Sequence, residues 1–137
     1  VTNFGYPKRT TAGFDNNRLQ LMTAILSKRA NLNLSNQDIY INVVGGIKIE
    51  EPGADLAVAL AVVSSLKAII IQDTVVIGEL GLSGEGRFVS NLENRIKEAE
   101  KLGCKKAICP RSKLSVKSSK IQIHQVRTLQ EAISSLV

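Results

Sequence analysis

A chain of 137 residues is long enough to bury one continuous core without disulfides or metals, and short enough that a single domain is expected. With 44% apolar but only 4% aromatic residues, that core has to be built of Val, Ile, Leu and Ala, the usual material of a domain that mixes helices with a sheet. A net charge of +6 and apolar runs no longer than 56–63 exclude a membrane-spanning helix, which needs roughly 20 apolar residues, and leave a soluble protein with surplus cations.

Residues 1–14 combine Gly5, Pro7 and Gly13 with little periodicity, so a leading linker or an edge strand is expected, followed by one domain over 15–137. Lys8 and Arg9 precede no apolar stretch, so these residues do not read as a secretory signal and a cytoplasmic location is expected. Leu19, Met22, Ile25 and Leu26 recur at helical spacing behind Asp15, a good N-cap, and predict a helix over 17–30. Alternation of Ile39, Ile41 and Val43 with Tyr40 and Asn42 predicts a strand over 38–44. Gly45-Gly46 tolerates positive φ, so a two-residue hairpin leading into a second strand over 47–49 is expected, with Glu50 and Glu51 at its solvated end. The Ala-rich segment 54–66 is apolar nearly all round and predicts a buried helix, with Asp55 near the positive end of its dipole.

A short strand over 74–77 runs into Gly78, Gly81 and Gly84, which predict a tight turn and a return to strand near 87–89. Leu92, Ile96, Ala99 and Leu102 form one face of an amphipathic helix over 91–102, closed by Gly103. A strand over 106–109 is expected to stop at Pro110, followed by a basic helical turn over 111–117, a strand over 121–126 and a helix from the Thr128 cap to 136. Cys104 and Cys109 are the only cysteines and His124 the only histidine. They are too few for a usual zinc site and read as reduced thiols and a structural imidazole.

The charge is unevenly placed. Between Arg95 and Arg127 ten basic residues face two acids, a local +8 that leaves −2 for the rest of the chain. Lys97, Lys101, Lys105, Lys106, Arg111, Lys113, Lys117 and Lys120 are therefore candidate phosphate contacts, since clustered cations bind polyanions by neutralising phosphates and releasing counterions. Solvated surface charge is the alternative. The five aromatics, Phe4, Tyr6, Phe14, Tyr40 and Phe88, are too few for sequence-specific reading of single strands, so backbone recognition is expected.

Asn17-Arg18-Leu19, the run from Asp38 to Lys48, Ala54-Asp55-Leu56-Ala57, Ser64-Ser65, the run from Gly78 to Glu85 and Cys109-Pro110 together resemble the proteolytic domain of Lon. They resemble even more closely the C-terminal domain of the bacterial RadA (Sms) DNA repair family. The resemblance implies an α+β fold of the Lon proteolytic, or ribosomal protein S5 domain 2-like, type: a mixed sheet packed with helices. Lon-type peptidases use a serine and a lysine whose burial frees it to accept the serine proton. The serine position, after the proline ahead of the Ala-rich helix, is Gly53 here, and the lysine position, 15 residues beyond Gly78, is Glu93. Both halves of the dyad are missing, so no catalytic residue is expected. Ser64, Ser65, Ser83 and Ser90, with Lys48 and Lys97, are the stand-ins a relocated peptidase dyad would need.

The resemblance further implies side-by-side packing in hexameric rings, coupled to an upstream ATPase that drives branch migration on duplex or branched DNA, with a recombinase as a further partner. ATP, Mg and Zn belong to those upstream parts. The present residues hold no Gly-x-x-x-x-Gly-Lys-(Ser/Thr) loop and no four-cysteine element, so no cofactor and no metal are expected in this domain. A relocated peptidase and a purely structural oligomerisation domain are the rival readings.

Overall fold

Residues 6–113 and 120–136 are described by a computed structural model of the chain. They fall into two units, one ending at Glu51 and one starting at Pro52.

In the first unit, β1 (Arg9–Ala12) leads through α1 (Asn16–Arg29) to β2 (Ile39–Asn42). The two strands pair in parallel, Arg9 opposite Ile39 through Ala12 opposite Asn42. Asp15 caps α1 as its chemistry predicts, its carboxylate accepting the Asn17 N–H at 3.4 Å. The expected stripe of Leu19, Met22, Ile25 and Leu26 is buried, along with Leu32, Leu34 and Ile39. Arg9 pins the connection back to β2, its guanidinium donating to the carbonyls of Leu34 (2.7 Å) and Gln37.

The expected hairpin does not form. Gly45 and Gly46 take positive φ (88° and 70°), but they lie in a short 3-10 turn over Val44–Gly46. The chain beyond it runs parallel to the extension of β1, with Ile49 bridging Phe14. Its backbone bonds explain why: Val43 N–H donates to the Ala12 carbonyl (2.9 Å) and Ile49 N–H to the Gly13 carbonyl (2.7 Å). β1 thus supplies the partner that β2 would supply in a hairpin. Gly13 makes this close approach feasible. Its φ is +82°, and a Cβ there would stand 2.6 Å from the Ile47 carbonyl oxygen.

The second unit contains α2 (Asp55–Lys67), β3 (Thr74–Val76), β4 (Glu79–Leu80), β5 (Gly86–Arg87), α3 (Leu92–Lys101), β6 (Lys106–Pro110), β7 (Gln122–Val126) and α4 (Leu129–Ser134). Strands β3, β6 and β7 form a parallel sheet in the order β3-β6-β7, and β4 pairs antiparallel with β5. Alternation divides the sheet residues between two faces. Val75, Ile77, Ala107, Cys109, Ile121 and Ile123 gather with Leu92, Ile96 and Ala99 of α3. Ile108, Pro110 and Val126 point the other way, on the side where α2 contacts β3 and α4 contacts β7. Mixed α and β elements with a parallel sheet are thus the architecture of this unit.

Four expectations are corrected in detail. Only Asp55, Leu56, Ala59, Leu60 and Val63 of α2 are buried, while Ala61, Ser65 and Leu66 are exposed; one face packs, and small alanines on the other carry little cost in water. Strand β5 ends at Arg87 rather than reaching 89, because Val89 turns into the α3 cluster while Phe88 stays 66% exposed. Pro110 is itself the last residue of β6, opposite Val126; its nitrogen faces away from β7, and the bond to β7 at this end is made by Arg111, whose N–H donates to the Val126 carbonyl at 3.0 Å. Residues 111–113 carry no helix, and the remainder of the expected basic turn, 114–117, lies outside the described residues.

Candidate nucleic-acid interface

The two positions where a Lon-type dyad would stand are both in the second unit. Gly53 is buried in a 3-10 turn, Pro52–Ala54, just ahead of α2. Its carbonyl accepts the Gly78 N–H (2.8 Å), and the Gly78 carbonyl accepts the Leu56 N–H (2.9 Å). Asp55 completes this clasp: it is 8% exposed, and its carboxylate accepts the Leu80 N–H at 3.3 Å. The start of α2 is thereby tied to the link between β3 and β4 by backbone and carboxylate bonds. Glu93 is half-buried in the first turn of α3, where an acid complements the helix dipole.

Three of the stand-in serines engage groups other than a lysine. The Ser64 hydroxyl donates to the Ile69 carbonyl at the end of α2, the Ser83 N–H donates to Glu85 (3.1 Å), and the Ser90 carbonyl accepts from Arg95 (3.1 Å). Lys48 forms an exposed pair with Glu50 (3.2 Å), and Lys97 is exposed on α3. An amine that is to accept a serine proton has to lose solvation, and these two keep it.

The basic residues separate into two groups. Lys101 closes α3, Lys105 precedes β6 and Lys106 opens it, and the backbone N–H groups of Lys105 and Lys106 donate to the Asp73 carbonyl (2.7 and 3.2 Å). Lys120 precedes β7, so these four lie toward the N-terminal end of the parallel strands. Lys101 pairs with Glu98 at 3.6 Å, and the half-buried Lys106 ammonium donates to the Ser135 carbonyl at the end of α4, where a cation suits the dipole. Arg111 and Lys113 follow β6 at its other end, about 20 Å from Lys105 at the rise of an extended strand. Lys117 lies outside the described residues.

Arg111 has neighbours that the sequence reading left outside the candidate contacts. Its N–H bonds the strand position directly before Arg127, and the Arg127 carbonyl accepts the N–H of Gly86 (2.8 Å), which precedes Arg87. Backbone bonds thus bring Arg111 and Arg127, which follow β6 and β7, near Arg87, which closes β5 of the separate β4-β5 pair, and all three are exposed. The available signal was positional, since each follows directly on, or closes, a short strand. The Glu85 carboxyl is held below its usual range, chiefly by backbone N–H bonds and then by Arg87 at 3.3 Å.

The surroundings of Cys109 and His124 shift both groups. Burial pushes the Cys109 thiol up to about 11, which keeps it protonated and unreactive at neutral pH. His124, half-buried in β7 opposite Ile108, has its pKa lowered by desolvation and then by the charge of Lys106. Arg18 lies over the Phe14 ring at 5.5 Å. Among the described residues, no group of three or more His, Cys, Asp or Glu could hold a metal ion, and no helix is long and apolar enough to cross a membrane.

Residues 10–113 match the family model described as subunit ChlI of Mg-chelatase. Proteins called DNA repair protein RadA are similar over nearly the whole chain. That of Aquifex aeolicus (strain VF5) is 48% identical over 131 residues, which is 95% of this chain and 29% of the relative. That of Streptococcus pneumoniae (strain ATCC BAA-255 / R6) is 46% identical over 138 residues, covering 98% of this chain and 33% of the relative. The Escherichia coli (strain K12) protein is 43% identical over 130 residues, covering 93% and 28%. The chain therefore spans about a quarter to a third of the curated relatives it matches.

Proposed function

The chain belongs to the RadA family of DNA repair proteins, corresponding to their C-terminal region, and from that premise we propose that it is a non-catalytic, Lon-like module that assembles with copies of itself and grips the DNA backbone. The observation that carries the non-catalytic part is Gly53, a buried residue with no side chain at the nucleophile position, whose carbonyl is committed to Gly78. Glu93 at the second position carries a carboxyl group and offers no amine. The scaffold that holds a peptidase dyad then serves as a rigid base for a surface. In the intact protein, that surface would support an upstream ATPase driving branch migration, in a cytoplasmic ring of six in which each copy repeats the same cationic groups. ATP, Mg and Zn would be held by the ATPase side of the protein.

DNA contact in this reading rests on the cations that follow α3, on the +8 carried between Arg95 and Arg127, and on the family's role in DNA repair. It is tested by titrating the chain with labelled DNA at rising salt. Binding that weakens steeply with salt, and weakens further on charge reversal at Arg111 and Lys113, is expected. No binding at low ionic strength would reject DNA contact and leave the assembly role. Cleavage of casein that is abolished by one serine-to-alanine change would reject the non-catalytic reading.

A further inference from the structure

We infer that two copies of this chain pair through the open edge of β2, antiparallel about Asn42, so that Tyr40 of each copy packs on Val44 of the other. Parallel pairing with β1 turns the N–H groups of Ile39 and Val43 toward the Lys8 and Ala12 carbonyls (both 2.9 Å). Backbone groups alternate along a strand. Those of Tyr40 and Asn42, and the Val44 N–H beyond the still extended Val43 (φ −85°, ψ 116°), therefore face the other way. Among the described residues nothing pairs with that edge, and β2 ends its two-stranded sheet. A row of unpaired donors and acceptors is a template for another strand.

The occupant follows from the sequence of that edge. Ile39-Tyr40-Ile41-Asn42-Val43-Val44 has high strand propensity and carries no charge and no proline, the devices that keep an edge from pairing. Run antiparallel against itself about Asn42, it sets Tyr40 opposite Val44, an aromatic on a β-branched side chain, and Asp38 opposite Gly46, so no like charges meet. These are the side chains that the fold leaves uncovered. Tyr40 is 64% and Val44 83% exposed, Asn42 is exposed between them, and the β1 residues opposite Tyr40 and Asn42, Thr10 and Ala12, are exposed as well. Asn42 and Val44 also line a cavity of about 910 Å³ together with Phe14 and Ile47. Tyr40 of the second copy lies at the wall of that cavity and covers apolar surface there. Such a two-fold contact uses one patch on both copies, whereas a ring closes through head-to-tail contacts. The pairing is therefore a second mode of association, independent of a ring.

Sedimentation velocity of the 137-residue chain over a range of concentrations tests the pairing, which is expected as a monomer–dimer equilibrium. Asn42→Lys and Asn42→Asp each set like charges across the two-fold axis and should each weaken it about fivefold, while an equimolar mixture of the two variants regains it as a heterodimer. Asn42→Pro removes an outward N–H that the fold does not use, and should abolish pairing with the melting temperature nearly unchanged. Pairing about Asn42 brings its two Cα atoms about 5.5 Å apart, within disulfide reach. Asn42→Cys should therefore cross-link to a dimer in oxidised glutathione, whereas Tyr40→Cys, about 14 Å from its equivalent in the other copy, should not. A chain that stays monomeric at every concentration overturns the inference, as does a failure of the two charged variants to recombine. Hexamers that form and ignore every change at Asn42 overturn it too, while ring assembly stands.

Discussion

Gly13 is the residue whose replacement has the clearest consequence. Its φ of +82° disfavours any side chain, and an added Cβ would meet the Ile47 carbonyl at 2.6 Å and the Val43 Cβ at 2.7 Å, neither of which is the end of a flexible group. Gly13→Ala should therefore cost about 2–4 kcal/mol, read as a lower denaturant midpoint. His124 controls a pH dependence instead. Its pKa is lowered in the folded state, by burial first and by Lys106 second, so the unfolded chain binds its proton more readily. The stability this gives is complete above the ordinary imidazole value of about 6.5 and is lost as pH falls below it. Chemical denaturation at pH 7.5 and 5 should show that loss, and His124→Gln should remove part of it; equal slopes in the two proteins would refute the assignment.

At the scale of elements, helix ends reveal how local chemistry and packing divide the work. Asp15 and Thr128 act as N-caps, Thr128 accepting the Glu131 N–H at 3.2 Å while Glu131 accepts the Arg127 N–H at 2.9 Å. Both helix starts are legible because a cap needs only residues close in sequence. The end of α2 is different: Ala68 sits in the left-handed region at φ 54°, held there by the Ile69 N–H bonding the Ser64 carbonyl (3.0 Å) and by the Ser64 hydroxyl reaching the Ile69 carbonyl. A Cβ in that conformation carries strain that glycine lacks. Ala68→Gly is accordingly expected to stabilise the chain by about 0.5–1 kcal/mol despite the freedom glycine adds to the unfolded state, measured as a rise in melting temperature.

For the molecule as a whole, the relevant quantity is how its +6 charge is divided. Sequence distance places eight candidate cations in one stretch, but a parallel strand separates its two ends by its full length. Lys101, Lys105, Lys106 and Lys120 therefore stand toward one end of the sheet, and Arg111 and Lys113 follow the other. Only a fraction of the nominal charge can face one ligand. If the three arginines of the C-terminal end each neutralise one phosphate, the slope of log affinity against log salt should be about −2 for a single strand. A slope near −6 would mean that both ends act together. Anisotropy titrations at four or five salt concentrations distinguish the two.

Periodicity and capping determined by themselves where α1, α3 and the closing helix lie, because those signals are local and repeat within a few residues. The absence of a serine at 53 and of a lysine at 93 was equally readable, since a missing side chain needs no fold to be missing. The partner of each strand was not. Gly45-Gly46 has the composition of a hairpin, yet the segment after it bonds to the end of β1, a choice made by which distant backbone groups are left unpaired. The gathering of Arg87, Arg111 and Arg127 belongs to the same class: strand order brings them together, and no local pattern in the chain encodes strand order.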